Sequence, residues 1–209
     1  MSYSIDVPVH TYLDDLASAQ PAPGGGSTAA LSGAMAAALV CMVARLTLDK
    51  PEYAAVQAEV QTIIQQVEQI RSRFQQLVQD DIVAYGHLSA AFKLPRTSPQ
   101  EKEERTSSIQ SRLVSAALVP LEMAERAAQL MQHCQRIAEI GNKNVLSDIG
   151  VAALQTSTAA TSAAWMVRVN LHSLKDQERA DEIITRLNAA LQQVSTGSQQ
   201  VVSTIGARS

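Results

Sequence analysis

The chain has 209 residues, 46% of them hydrophobic but only 3% aromatic, with a net charge of -3 and a pI near 5.8. That length supports one domain with a well-buried core, and an Ala-dominated apolar set suits closely packed helices better than sheets. The absence of a basic stripe interleaved with aromatics excludes nucleic acid as an expected partner, and two distant cysteines, Cys41 and Cys134, read as buried thiols of a reducing compartment rather than a disulfide framework.

The opening stretch MSYSIDVPVH has no basic region followed by an apolar run, so no secretory signal is expected. A first helix is expected from about Pro8 to Ser18, broken by the QPAPGGG run that ends at Gly26. The second starts at Gly26 or Ser27 and reaches about Leu48. Ala30, Gly33, Ala37, Cys41 and Ala44 give it a small-residue stripe that lets another helix come close. Leu31, Met35, Leu39 and Met42 form a bulkier one. Its uncharged part falls short of the ~20 strongly apolar residues of a membrane span. The uncharged stretch from Ile149 to Val167 is interrupted by Gln155, Thr156, Ser157 and other polar residues. Both are expected to be central helices of a bundle, buried on all sides, and no membrane partner is expected.

The third helix is expected to begin at Asp49 and Pro51, with Asp49 as N-cap, and to run to about Phe92. Val56, Val60, Ile63, Val67, Ile70, Phe74 and Leu77 recur at spacings of three and four. Ser98-Pro99-Gln100-Glu101 is a strong start signal, with Ser as cap, Pro at the first helical position and Glu closing a capping box. That fourth helix extends to about Glu139, with Pro120 as a point for a kink. Gly141 to Leu146 reads as a loop, and Ser147 or Asp148 as the cap of a fifth helix to about Leu171. A sixth starts at Asp176, and residues 195–209 read as a frayed polar tail. The expected fold is therefore all-α: a long antiparallel bundle of about six helices spanning residues 1–209 as one domain. Helices of some forty residues, ~60 Å long, favour dimerisation.

Polar chemistry is concentrated in three segments. In the first, Gly24, Gly25 and Gly26 before Ser27 free the backbone to bend and bare the first N–H groups of a helix, which favour an anion or a carbonyl oxygen. No Gly-Lys-Ser/Thr follows, so it is not a P-loop. In the second, Asp81 and Tyr85 share one helix face with Leu88 and Phe92. A carboxylate on such a stripe is solvent-facing, paired, or held for a task. In the third, Asn142, Lys143, Asn144, Ser147 and Asp148 either cap a helix or present hydrogen-bonding groups to a planar ligand. His10, His87, His133 and His172 have no metal-ligand spacing, so no metal is expected.

Taken in order, several motifs resemble the cyclodeaminase/cyclohydrolase family. They are Pro21 to Ser27 before an Ala-rich helix, Asp81-x-x-Ala84-Tyr85 with a later Leu94-Pro95, Val119-Pro120-Leu121 inside a helix, Gly141-Asn142-x-Asn144-x-x-Ser147-Asp148, and Val169-Asn170-Leu171. The set covers about residues 6 to 175. The family comprises the cyclodeaminase domain of formiminotransferase-cyclodeaminase and stand-alone methenyltetrahydrofolate cyclohydrolases. This chain departs from it by having Arg96 where Lys usually follows Leu-Pro, and Met166 where Asn is frequent.

The resemblance implies an all-α cytoplasmic enzyme, a homodimer, acting on a small-molecule folate with no cofactor or metal. It implies Asp81 and Tyr85 as catalytic residues and Gly24, Gly25, Gly26, Ser27, Lys93, Arg96, Asn144, Ser147 and Asp148 as substrate-binding ones. Asp148 and Asn144 would meet the pterin, and Lys93, Arg96 or Lys143 the glutamate tail. The stand-alone form points to 5,10-methenyltetrahydrofolate hydrolysis to 10-formyltetrahydrofolate, ahead of formimidoyltetrahydrofolate cyclodeamination. A non-catalytic dimeric helical scaffold is the third reading. Asp148 and Asn170 are 22 residues apart, ~33 Å along one helix, so both serve one compact pocket only if a second subunit completes it.

Overall fold

The computed structural model describes residues 6–208; residues 1–5, half of the opening decapeptide, and Ser209 lie outside it. Six α-helices occur among the described residues, with no strand: α1 (Val9–Leu16), α2 (Gly25–Arg45), α3 (Gln57–Phe92), α4 (Pro99–Ile140), α5 (Leu146–Leu171) and α6 (Gln177–Arg208). Their buried apolar side chains form one continuous core.

Cross-helix pairs give the directions. Glu59 meets Arg136 and Arg73 meets Glu122, so α3 and α4 are antiparallel. Arg45 meets Glu68 while Gly33 lies on Phe74, which makes α2 and α3 antiparallel. Asn170 reaches Ala116 and Thr156 approaches Cys134, so α5 runs back along α4. One end of the bundle thus gathers the start of α2 and the ends of α3 and α5. The opposite end gathers the end of α2 and the α4–α5 connection.

The small stripe of α2 does what its composition implies. A Cβ on Gly33 would sit 2.4 Å from a ring carbon of Phe74, so only glycine lets α2 and α3 approach this closely. By length and composition α2 is apolar enough to cross a membrane, but 67% of its apolar window is buried inside the protein. Cys41 and Cys134 are free and buried. Burial pushes both thiols up to about 12, so they remain protonated.

Several expectations are corrected. Helices α2 and α5 are not buried on all sides: Trp165 is 69% exposed and Leu154 61%, with Val151 and Val169 on the same face. Met35 and Met42 are exposed on α2, and Leu46 just after its end. The bundle supplies neighbours for only one side of these two helices. Asp49 is not an N-cap; it has a left-handed backbone, φ 58°, which Asp tolerates. A 3-10 segment, Pro51–Val56, intervenes before α3. There the Gln57 side chain accepts from Asp49 N–H at 2.9 Å and donates to the Tyr53 carbonyl at 2.9 Å. Ser147 and Asp148 are not caps either, because α5 already begins at Leu146. The tail does not fray: α6 continues to Arg208, Val201 is fully buried, and Arg208 donates to the carbonyls of Ala138 and Gly141. Ser98, Pro99 and Glu101 form the capping box as expected.

Candidate functional site

The end of the bundle that gathers the glycine run holds a cavity of about 380 Å³. Its walls come from the Pro21–Gly26 segment, the face of α3 from Asp81 to Phe92, Leu113 and Ala116 of α4, and Met166, Val169 and Asn170 of α5. The lining is mostly apolar with a few polar groups, the usual make-up of a small-molecule site.

The glycine run is organised by Ser27, which is fully buried. Its hydroxyl accepts from Gly24 N–H at 3.0 Å and donates to the Gly24 carbonyl at 2.9 Å. Thr28 adds a second hydroxyl donor to that carbonyl at 2.9 Å. These bonds fix how the chain enters α2 and aim its first N–H groups at α3.

Asp81 sits against that helix start, and Ser27 N–H donates to its carboxylate. A Cβ on Gly26 would lie 2.0 Å from Asp81 Oδ1. Gly26 is thus the space in which the carboxylate rests. Burial raises the Asp81 pKa from 3.8 to about 6, and the Ser27 bond opposes that only in part. Among the described residues no Lys, Arg or His forms an ion pair with it.

Its chain neighbour behaves oppositely. Asp80 points out of the cavity and pairs with Arg73 at 2.9 Å, inside a surface network with Glu122 and Arg126. Asp80 shares with Glu122 the Arg73 guanidinium that bridges α3 and α4, whereas Asp81 is left without a cation. Tyr85, Leu88 and Phe92 continue the Asp81 face along the wall, as their spacing predicts.

The structure brings Gly24, Gly25, Gly26, Asp81 and Tyr85 together at this cavity, with Ser27 behind them. Lys93 and Arg96 lie just beyond Phe92 in the exposed connection to α4 and do not line it. Asn144, Ser147 and Asp148 are at the far end of the 26-residue helix α5, ~33 Å from Asn170. Asn144 and Ser147 are exposed and Asp148 half-buried there. Asn142 is a structural residue: its N–H donates to Thr47 Oγ1 at 2.9 Å, its Nδ2 to the Leu46 carbonyl at 3.0 Å, and its Oδ1 accepts from Asn144 N–H at 3.1 Å.

Two wall residues are ones that the sequence marks but does not place among the site residues. Met166 packs its sulfur 3.5 Å from where a Gly25 Cβ would be. Asn170 donates through Nδ2 to the carbonyls of Ala116, at 3.0 Å, and Met166, at 2.8 Å. The signal for Asn170 was its place in Val169-Asn170-Leu171, a polar residue in an apolar helix end. Among the described residues no group of three or more His, Cys, Asp or Glu side chains is placed to hold a metal.

Residues 8–189 match the model of the formiminotransferase-cyclodeaminase family. The chain belongs to that family. It is 36% identical to the methenyltetrahydrofolate cyclohydrolase of Methylorubrum extorquens, over 94% of this chain and 95% of that protein. It is 30% identical to the formimidoyltransferase-cyclodeaminase of Rattus norvegicus, over 98% of this chain but only 38% of the rat protein. The crystal structure of formiminotetrahydrofolate cyclodeaminase from Thermotoga maritima superimposes with a TM-score of 0.88, covering 97% of both chains at 28% identity. The named activities of these relatives are those of enzymes acting on a tetrahydrofolate that carries a one-carbon unit.

Proposed function

We propose that this protein is a cytoplasmic, cofactor-independent methenyltetrahydrofolate cyclohydrolase that converts 5,10-methenyltetrahydrofolate to 10-formyltetrahydrofolate. The observation that carries the reading is Asp81, a half-buried carboxylate without a counter-cation among the described residues, in a mostly apolar cavity. The methenyl carbon lies between N5 and N10 and shares one positive charge with them. Such a cation supplies what the pocket lacks: on binding it holds Asp81 ionised. Similarity over nearly the whole length to a cyclohydrolase supports the same choice.

Water adds to the methenyl carbon while Asp81 takes one of its protons. The tetrahedral carbon then releases N5, which receives the proton from Asp81, while the remaining hydroxyl proton passes to solvent and the carbon stays on N10 as a formyl group. The balance is methenyl cation plus water giving formyl product and one proton. A carboxylate near pKa 6 is suited to both halves, because it neither holds nor refuses the proton strongly near neutral pH. Tyr85, one helical turn along, orients the water or the carboxylate, and the N–H groups of Gly25 and Gly26 line the opposite wall.

The active unit in this reading is a homodimer. The neighbouring helices α2 and α5 both carry exposed apolar residues, and patches of this kind mark interaction surfaces. The α5 face extends from Val151 to Val169. A two-fold pairing centred between them, near Ala160, sets Asp148 of one copy opposite His172 of the other, next to the Asn170 wall. This would bring Asn144, Ser147 and Asp148 to the partner's cavity, where they meet the pterin, with Lys93, Arg96 or Lys143 near the glutamate tail.

A second reading, cyclodeamination of formimidoyltetrahydrofolate with loss of ammonia, is favoured by the close superposition on the Thermotoga maritima enzyme. It passes through the same tetrahedral carbon. The test follows the loss of methenyltetrahydrofolate absorbance where spontaneous hydrolysis is slow. Decay proportional to protein concentration supports the cyclohydrolase. Decay at the spontaneous rate, with ammonia released from the formimino substrate, replaces it by the cyclodeaminase. Silence in both assays removes the enzymatic reading.

A further inference from the structure

Pro120 stands inside α4, and it has no N–H. The carbonyl of Ala116, four residues earlier, therefore loses its ordinary helical donor. Ala116 lines the cavity, and the missing bond is made from α5, by Asn170 Nδ2 at 3.0 Å. The second hydrogen of the same amide goes to the Met166 carbonyl at 2.8 Å. Carbonyl oxygens only accept, so both neighbours require the nitrogen of Asn170, which fixes the orientation of the amide by chemistry. With both hydrogens committed to backbone, the one polar capacity the side chain retains is its Oδ1 acceptor. Asn170 lines the cavity that holds Asp81.

We infer that Asn170 is a specificity-determining residue that offers the ligand an acceptor and no donor, and that Pro120 is the positioning residue that keeps it so. The inference rests on the folate reading for the identity of the ligand: a tetrahydropterin carries N–H donors on its ring system, and Asn170 Oδ1 takes one of them. An amide free to turn would accept either a donor or an acceptor and would discriminate less. Pro120 removes that freedom without touching the ligand. An internal proline in α4 and an asparagine 50 residues later thus form one device.

The link between the two residues is tested without any ligand. Asn170→Leu leaves the Ala116 carbonyl without a donor and is expected to lower Tm by about 2–6 °C, the loss of one half-buried hydrogen bond in a protein of this size. In a Pro120→Ala background the restored N–H of residue 120 serves that carbonyl, so the same substitution is expected to lower Tm by less than half as much. Equal losses in the two backgrounds overturn the link.

The acceptor role is tested by kinetics on methenyltetrahydrofolate. Pro120→Ala is expected to raise KM about three- to tenfold with kcat within about twofold, and to leave KM unchanged in Asn170→Leu protein. An unchanged KM in both single variants overturns the acceptor role even if the melting coupling holds. If the wild-type chain turns over neither folate, the folate reading fails by itself, and the melting cycle still decides whether Pro120 holds Asn170.

Discussion

The two ends of the bundle are both rich in buried polar groups, and they treat them differently. At the α4–α5 connection each one is answered by the protein. Asn142 uses its N–H, its Nδ2 and its Oδ1 on Thr47, Leu46 and Asn144, Tyr53 takes the Lys143 N–H at 3.0 Å, and Arg208 serves Gly141 at 3.0 Å. At the other end Asp81 has a backbone N–H from Ser27, no cation, and a cavity in front of it. Satisfied polar groups hold a fold together. A buried carboxylate left without a counter-charge costs stability, and it is kept where a ligand supplies the charge.

The sharpest way to break this contrast is Asp81→Asn. If Asp81 shuttles the proton, kcat falls by about 10²–10⁴-fold, measured by methenyltetrahydrofolate absorbance. The same variant should be more stable than the wild type, because burial of the ionised carboxylate is removed. The folded-state pKa of about 6 lies above the unfolded 3.8, so the contribution of Asp81 to stability is fully present below about pH 3.8 and lost as pH rises through about 6. Denaturant titrations should therefore show the gain above pH 6, at most on the order of 3 kcal/mol, and none near pH 3.5. Full turnover in Asp81→Asn would strike Asp81 from the catalytic residues. For the wild type, kcat/KM should rise with pH through about 6, as the base form is populated.

Gly26→Ala tests the same carboxylate without changing its chemistry. The new methyl would occupy the position 2.0 Å from Asp81 Oδ1, so Asp81 or the start of α2 must move. Misplacement of a catalytic group by about 1 Å costs on the order of 10²-fold in rate, and the overpacking costs about 1–3 kcal/mol. Normal kcat together with normal stability would mean that the carboxylate does not need its present position.

How much of this was legible in the sequence depends on the range of the signal. The Ser98 capping box, the small stripe of α2 and the Asp81–Tyr85–Leu88–Phe92 face are local, set by helical spacing, and stand as read. Which of Asp80 and Asp81 faces the cavity was not local: Asp80 joins the Arg73 guanidinium that also holds Glu122 of α4, and Gly26 of α2 leaves room for Asp81. The role of Asn170 stayed open in the sequence because one of its two carbonyl partners, that of Ala116 freed by Pro120, lies on another helix at a separation that sequence spacing does not connect. The exposed faces of α2 and α5 escaped because an apolar run states that a surface will be covered, not whether its own chain or another copy covers it.

In the proposed homodimer the far end of α5 reaches the reaction through the partner, which gives a test by subunit complementation. Asp148→Asn is expected to lower activity about tenfold if it meets the partner's substrate. A mixture of Asp81→Asn and Asp148→Asn chains forms hybrid dimers in which one cavity carries both changes and the other carries neither. Activity near one quarter of wild type should then return on mixing and refolding the two impaired proteins, since about half the dimers are hybrids with one intact site of two. No recovery would confine each site to a single chain and leave Asp148 as an ordinary residue of the first turn of α5.

Asn142→Ala should have the smallest effect on chemistry and marks the other side of the comparison. It removes the Nδ2 bond to Leu46 and the Oδ1 bond from Asn144 but keeps the backbone bond to Thr47. The Leu46 carbonyl loses a donor at a half-buried site, a cost of about 1–3 kcal/mol, and Tm should fall by about 2–8 °C. KM and kcat should stay within about twofold of wild type, because Asn142 lies at the opposite end of α5 from Asp81 and its bonds are internal to the fold. A large rise in KM with little change in Tm would reverse the assignment and place Asn142 among the ligand-binding residues, alongside Asn144 and Asp148.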